Sequence, residues 1–184
     1  CVTPTWDDAA SVVAPILQKT ENSLKFKIPE TYTNGVYAVR LTDITGTNSK
    51  IIYINTPVVD YTIGDDGGEL TKTKDSCGRA APGGEIRVIG NNISVDENAE
   101  RMYVKLTNKN NPSEVYLLDK NSITVQSQYS ISIKVPDVIP VGSSAKYFEL
   151  SVYNGYGDAT AWSIPVLITV QPDLRSTWND EIFD

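Results

Sequence analysis

The chain has 184 residues, a net charge of −7 and no histidine. Its length holds one or two domains, and its acidic balance works against nucleic acid and anionic lipid as partners. The missing imidazole removes the commonest general base, the commonest zinc ligand and every Ser-His or Cys-His nucleophile pair.

Residues 1–20 are weakly patterned. Asp7 to Val13 could form a short helical turn, which Pro15 would stop. Val12, Val13, Ile16 and Leu17 suit one strand interrupted by that proline. From Asn22 the strand signals become clear. Leu24, Phe26 and Ile28 alternate and close on Pro29, Asn34-Gly35 is a turn dipeptide, and Tyr37, Val39 and Leu41 alternate again. Gly46 marks a second turn, and Ile52 and Ile54 begin a last strand that ends at Pro57. A first module of residues 1–57 follows from this, joined to the next by a link of a residue or two.

The second module, residues 58–171, opens with the strand 58–63 and a long loop, 64–84, rich in glycine. Residues 85–93 read as a strand with Ile86 and Val88 inward. Residues 102–106 and 115–118 read as a strand pair around the polar loop 107–114. The order of the first module then returns. Ile131, Ile133 and Val135 close on Pro136, and Gly142 sits in the loop. Phe148, Leu150 and Val152 alternate, Gly155 and Gly157 turn the chain, and Val166, Ile168 and Val170 close it. A repeated strand–Pro–loop–strand–turn–strand unit predicts tandem β-modules. About seven short strands with Gly, Pro and Asn turns predict an all-β fold of two tandem immunoglobulin-like β-sandwiches, the first lacking its opening half. No run reaches the roughly 18 apolar residues of a membrane span, and no signal peptide is visible. Residues 172–184 read as a polar, acidic linker or tail toward a further domain.

PGGEIRVIGNNI, residues 82–93, resembles the opening strand of the immunoglobulin-like modules of plexins and transcription factors, the IPT/TIG family. SLKFKIPE with NGVYAVRLTD and IIYINTP is similar to the closing half of that module, as is SISIKVP with FELSVYNGYGDATAWSIPVLITV. STWNDEIFD, residues 176–184, resembles the lead-in to a pectate-lyase or polygalacturonase-like parallel β-helix. The resemblance implies non-catalytic accessory or spacer modules of a secreted or cell-surface polysaccharide-active protein. Their partners would be a downstream catalytic domain and a polysaccharide. It implies no cofactor and no catalytic residue in this chain. A surface adhesion or protein-interaction module is the alternative, and an enzyme in its own right is disfavoured by the missing histidine and cofactor motifs.

The candidate ligand-binding residues are Tyr153, Asn154, Tyr156 and Asp158, in an aromatic and amide-bearing loop, with Trp178 in the tail. A flat aromatic beside planar polar groups suits a sugar, although Asn-Gly-Tyr-Gly is also what a hairpin demands. A polyanionic glycan would need a basic cradle, and the lysines and arginines are scattered. Asp65, Asp66 and Glu69 offer hard oxygen ligands to Ca2+, without the spacing of an EF-hand loop; a solvated turn uses the same residues. Cys1 and Cys77 either pair as a disulfide or stand as two thiols. Cys1 also suits a lipoprotein cysteine or a processing boundary. Trp162 reads as core or rim packing, and Trp6 and Trp178 as contacts to other parts of the protein. Asn92-Ile93-Ser94 is a glycosylation sequon, or simply a strand-end turn.

Overall fold

The computed structural model describes residues 11–32, 35–64, 78–95, 98–156 and 161–173. The chain divides into two compact units, Cys1–Asn55 and Thr56–Asp184. Every element among the described residues is a strand, and no helix there is long and apolar enough to cross a membrane.

In the first unit, β1 (Ile16–Lys19) and β2 (Leu24–Phe26) form an antiparallel hairpin. β3 (Tyr37–Val39) pairs antiparallel with β4 (Ile52–Ile54). β1 starts directly after Pro15, because proline has no N–H to give a ladder. The Pro15 carbonyl still serves, accepting from Lys27 N at 2.9 Å. Thr20 closes the hairpin turn, its N–H donating to Ser23 O at 2.8 Å and its Oγ1 accepting from Ser23 N at 3.0 Å. No described residue of this unit is buried, and Val13 (95 %), Ile16 (61 %) and Ile52 (60 %) are largely exposed.

The second unit contains β5 (Val58–Gly64), β6 (Arg79–Ala80), β7 (Glu85–Asn91), β8 (Tyr103–Asn108), β9 (Val115–Leu118), β10 (Ile123–Ser127), β11 (Ser130–Lys134), β12 (Lys146–Tyr153) and β13 (Val166–Val170). They make a four-stranded sheet of order β10-β11-β7-β5 and a five-stranded sheet of order β6-β13-β12-β8-β9. Side chains alternate across each strand. Ile86, Val88, Ile131 and Ile133 of the first sheet therefore meet Val104, Leu106, Phe148, Leu150, Val152, Ile168 and Val170 of the second in one core, all fully buried. The unit is a β-sandwich, and burial of each such side chain contributes roughly 1.5–3 kcal/mol.

Two strands were not legible in sequence. β6 lies inside the stretch that reads as a loop and pairs parallel with β13 through Thr169↔Arg79 and Val170↔Ala80. Two residues are too few for a periodic signal. β10 is half exposed, so its apolar pattern is weak. The division between the units falls after Asn55, while Pro57 is buried within the second.

The internal repeat extends to individual hydrogen bonds. Residues 15–54 reproduce the end of the second unit, with β1–β4 matching β10–β13. Lys27 N donates to Pro15 O at 2.9 Å as Lys134 N donates to Ser122 O at 2.9 Å. Lys27 pairs with Glu30 as Lys134 pairs with Asp137. Tyr32 N donates to Pro29 O and Ile139 N to Pro136 O. Ser49 N donates to Leu41 O at 2.8 Å and Leu41 N to Ser49 Oγ at 3.0 Å; Ser163 and Val152 form the same reciprocal pair at 2.8 and 2.9 Å. The bridge Thr42↔Asn48 corresponds to Tyr153↔Trp162. Even the pairing registers agree: Tyr37↔Ile54 and Val39↔Ile52 stand where Phe148↔Ile168 and Leu150↔Val166 stand.

Candidate functional site

The alternation that buries Met102, Val104 and Leu106 turns Tyr103 and Lys105 to the outer face of the five-stranded sheet. On the neighbouring strand Phe148, Leu150 and Val152 point inward, which puts Tyr153 on the same outer face. Register then fixes which rings meet. Tyr103 lies opposite Tyr153, and their rings stack with centroids 6.3 Å apart. The isolated bridge from Tyr153 to Trp162 brings the indole to 5.6 Å on the other side of Tyr153. Tyr103, Tyr153 and Trp162 thus form a row of three rings across β8, β12 and the segment leading into β13.

Cations border the row. Lys105 Nζ sits 4.8 Å from the Trp162 ring centroid, and the Arg101 guanidinium 5.6 Å from that of Tyr156. Both distances allow cation–π attraction. Tyr103 keeps 38 % of its surface exposed, while Tyr153 and Trp162 are half-buried. The row therefore combines rigid, packed rings with an accessible end.

The loop after β12 is held from within. Asn154 is fully buried; its Nδ2 donates to Asn92 O at 2.8 Å and its Oδ1 accepts from Tyr156 N at 3.1 Å. Asn92 meets it from a left-handed conformation, φ 53°. Gly155 turns the chain at φ 90° beside the Arg101 backbone, where a side chain would be strained. The Asn154 amide is thus spent on the fold and is not presented to a ligand, because a buried amide must find its partners inside. Its counterpart Asp43 does the same work in the first unit, accepting from Thr45 N and Thr47 N. The Thr45 hydroxyl, then the Thr47 N–H, hold the Asp43 carboxyl below the usual carboxylate range.

Of the residues singled out in sequence, the structure brings Tyr153 into the ring row and leaves Tyr156 half-buried at its rim under Arg101. Asp158, Trp178, Asp65, Asp66, Glu69, Cys1 and Cys77 lie outside the described residues. Trp162 packs at the outer face, against Tyr153. Tyr103, Lys105 and Arg101 were missed, although the strand alternation at 102–106 was enough to place Tyr103 and Lys105 outward.

Two further features lie away from the ring row. Glu114 accepts from Lys146 Nζ at 3.0 Å, Asn108 Nδ2 at 2.6 Å and the Tyr116 hydroxyl at 3.1 Å. Burial pushes its carboxyl up, but these hydrogen bonds outweigh that effect, and its pKa is lowered. Burial first, then the bond to Glu114, raises that of Tyr116. This cluster clamps the loop between β8 and β9. A cleft of about 540 Å3 opens where β5, β6 and β13 converge, lined by Asp60, Tyr61, Arg79, Tyr147, Leu167 and Gln171 among others. Among the described residues, no three His, Cys, Asp or Glu side chains gather as a metal site would require.

No family model matches the chain, and no curated protein matches it. Among solved structures it is similar to one described as a "putative bacterial DNA binding protein" from Bacteroides vulgatus ATCC 8482, at 13 % identity over 74 % of this chain and 68 % of that one, with a TM-score of 0.43. So distant a likeness does not extend to partners or activity.

Proposed function

We propose that the chain is a non-catalytic accessory piece of a secreted or cell-surface polysaccharide-active protein, and that it contacts glycan through the ring row Tyr103–Tyr153–Trp162. The single observation behind this reading is that row, laid across a sheet face with one ring 38 % exposed. Aromatic faces offer sugar C–H groups a broad apolar contact, and sheet-mounted rings lose little freedom on binding. The pectate-lyase-like context rests on the resemblance of the tail alone.

The tandem immunoglobulin-like architecture belongs to the same proposal. The strand order β5-β7-β11-β10 facing β13-β12-β8 follows the ABED and GFC order of immunoglobulin sandwiches, which supports an IPT/TIG-like module in the second unit. The bond-for-bond repeat supports a partial second module before it.

Affinity electrophoresis through gels containing pectins, xylans, glucans and mannans tests the binding. Retardation by one polymer is expected, abolished by Y103A or W162A and kept by Y129A, which changes an exposed ring in the turn between β10 and β11. Equal mobility in every gel would overturn the glycan reading. A protein-interaction module is the second reading, favoured by the exposed apolar side chains of the first unit.

A further inference from the structure

Arg101, Tyr103 and Lys105 alternate with the buried Met102 and Val104, so all three stand on the outer face of the five-stranded sheet. At roughly 3.3 Å per residue, each cation lies about 6–7 Å along the chain from Tyr103, one on either side. Tyr103 is the accessible ring of the row, so a ligand resting on it has a cation in both directions.

These two cations are held differently from others of the unit. Lys120, Lys134 and Lys146 each pair with a carboxylate, at 2.7, 3.0 and 3.0 Å. Arg101 and Lys105 form no ion pair among the described residues; they lie over the rings of Tyr156 and Trp162. An ion pair cancels its cation, whereas a ring face orients the cation and leaves its charge in place. Glu149 stands on the same face of β12, two residues before the Ser151 that faces Lys105, and does not pair with it. The chain as a whole carries −7, which repels an anion at long range. Salt limits that repulsion to about 8–10 Å, so the nearest charges govern the potential over Tyr103.

We propose that the ring row takes an anionic glycan, its sugar C–H faces resting on Tyr103 and its carboxylate or sulfate groups meeting Arg101 and Lys105. This rests on the reading of the row as a glycan site and adds the charge of the ligand to it. Guanidinium and ammonium groups both bind such oxyanions. Single-stranded nucleic acid is a poorer fit, because bases stack on open ring faces and Tyr153 and Trp162 are half-buried.

Polygalacturonate and its fully methyl-esterified form share one backbone and differ in charge, so calorimetric titration of the full chain with each isolates the anion. Dextran sulfate against dextran asks the same of sulfate. A charged member is expected to bind about fivefold more tightly than its neutral partner, as two exposed charge contacts allow. A preference in one pair alone identifies the anion. The gap should close in about 1 M salt, where the Debye length is about 3 Å. R101Q and K105Q should each narrow it, K105R should keep it, and E149Q should widen it about twofold. Equal or tighter binding of both neutral polymers, still lost in Y103A, would overturn this proposal and leave the glycan reading standing. Binding to no polymer would overturn both. A gap unchanged in R101Q and K105Q, or equally tight binding of a single-stranded DNA oligonucleotide, would show the charge preference to lie elsewhere and overturn the assignment.

Discussion

The reciprocal serine bond occurs twice in different surroundings, so one substitution can be made with its own control. In the second unit Ser163 is 4 % exposed and its Oγ accepts from the fully buried Val152 N at 2.9 Å. In the first unit Ser49 is exposed and accepts from Leu41 N at 3.0 Å. Ser163→Ala strands a backbone N–H where water does not reach, which costs about 2 kcal/mol. Ser49→Ala lets water replace the lost oxygen, so its cost stays below about 0.5 kcal/mol. With a urea m-value of roughly 2 kcal/mol/M, the S163A midpoint for unfolding of the second unit falls by about 1 M. Exchange of the Val152 amide should quicken, while the Leu41 amide in S49A should change little. Equal losses in the two variants would refute the claim that burial, and not the bond itself, sets the energy.

Glu114→Gln removes the ionised acceptor of Lys146, whose side chain is 28 % exposed against 17 % for Glu114. The folded carboxyl has a lowered pKa relative to its usual 4.5. Its contribution of about 1 kcal/mol is therefore present above that usual value and disappears as pH falls through the folded pKa. Urea melts should separate wild type from E114Q at pH 7 and merge them near pH 2; a gap that persists in acid would refute the ion-pair account. Gly90→Ala would drive a methyl into the Val58 carbonyl, because β5 approaches β7 closely there. A loss of about 3 kcal/mol or more, read by thermal unfolding, is expected, and an unchanged Tm would mean that β5 sits elsewhere. Asn154→Ala frees Asn92 O and the Tyr156 N–H together. It should cost about 1–3 kcal/mol and speed exchange at Tyr156, whereas unaltered exchange would show that the amide does not hold the loop.

Much of the fold was legible because burial leaves a period-two trace. Ile86 with Val88, Val104 with Leu106, and Phe148 with Leu150 and Val152 alternate with polar neighbours, and each set proves to face the core. The repeat was legible in the same alternation, since Pro29 and Pro136 close equivalent strands and Leu41 and Val152 take equivalent places, although only Val152 is buried. The ring row was less legible. Tyr153 was singled out in sequence without its neighbours Tyr103 and Trp162, and Asn154 looked like a ligand group because a sequence shows an amide and not its partners.

The alternation, the strand-ending prolines and the doubling of the closing half are readable along the chain alone. Each is a local consequence of side-chain volume and backbone freedom. The rest came from the folded arrangement. It put Tyr103 against Tyr153 through a register set across 50 residues of chain, and it drew Trp162 in by a bridge. It spent Asn154 on Asn92 O and paired a two-residue strand with β13. These are pairings between distant segments, and their energies depend on which surfaces meet.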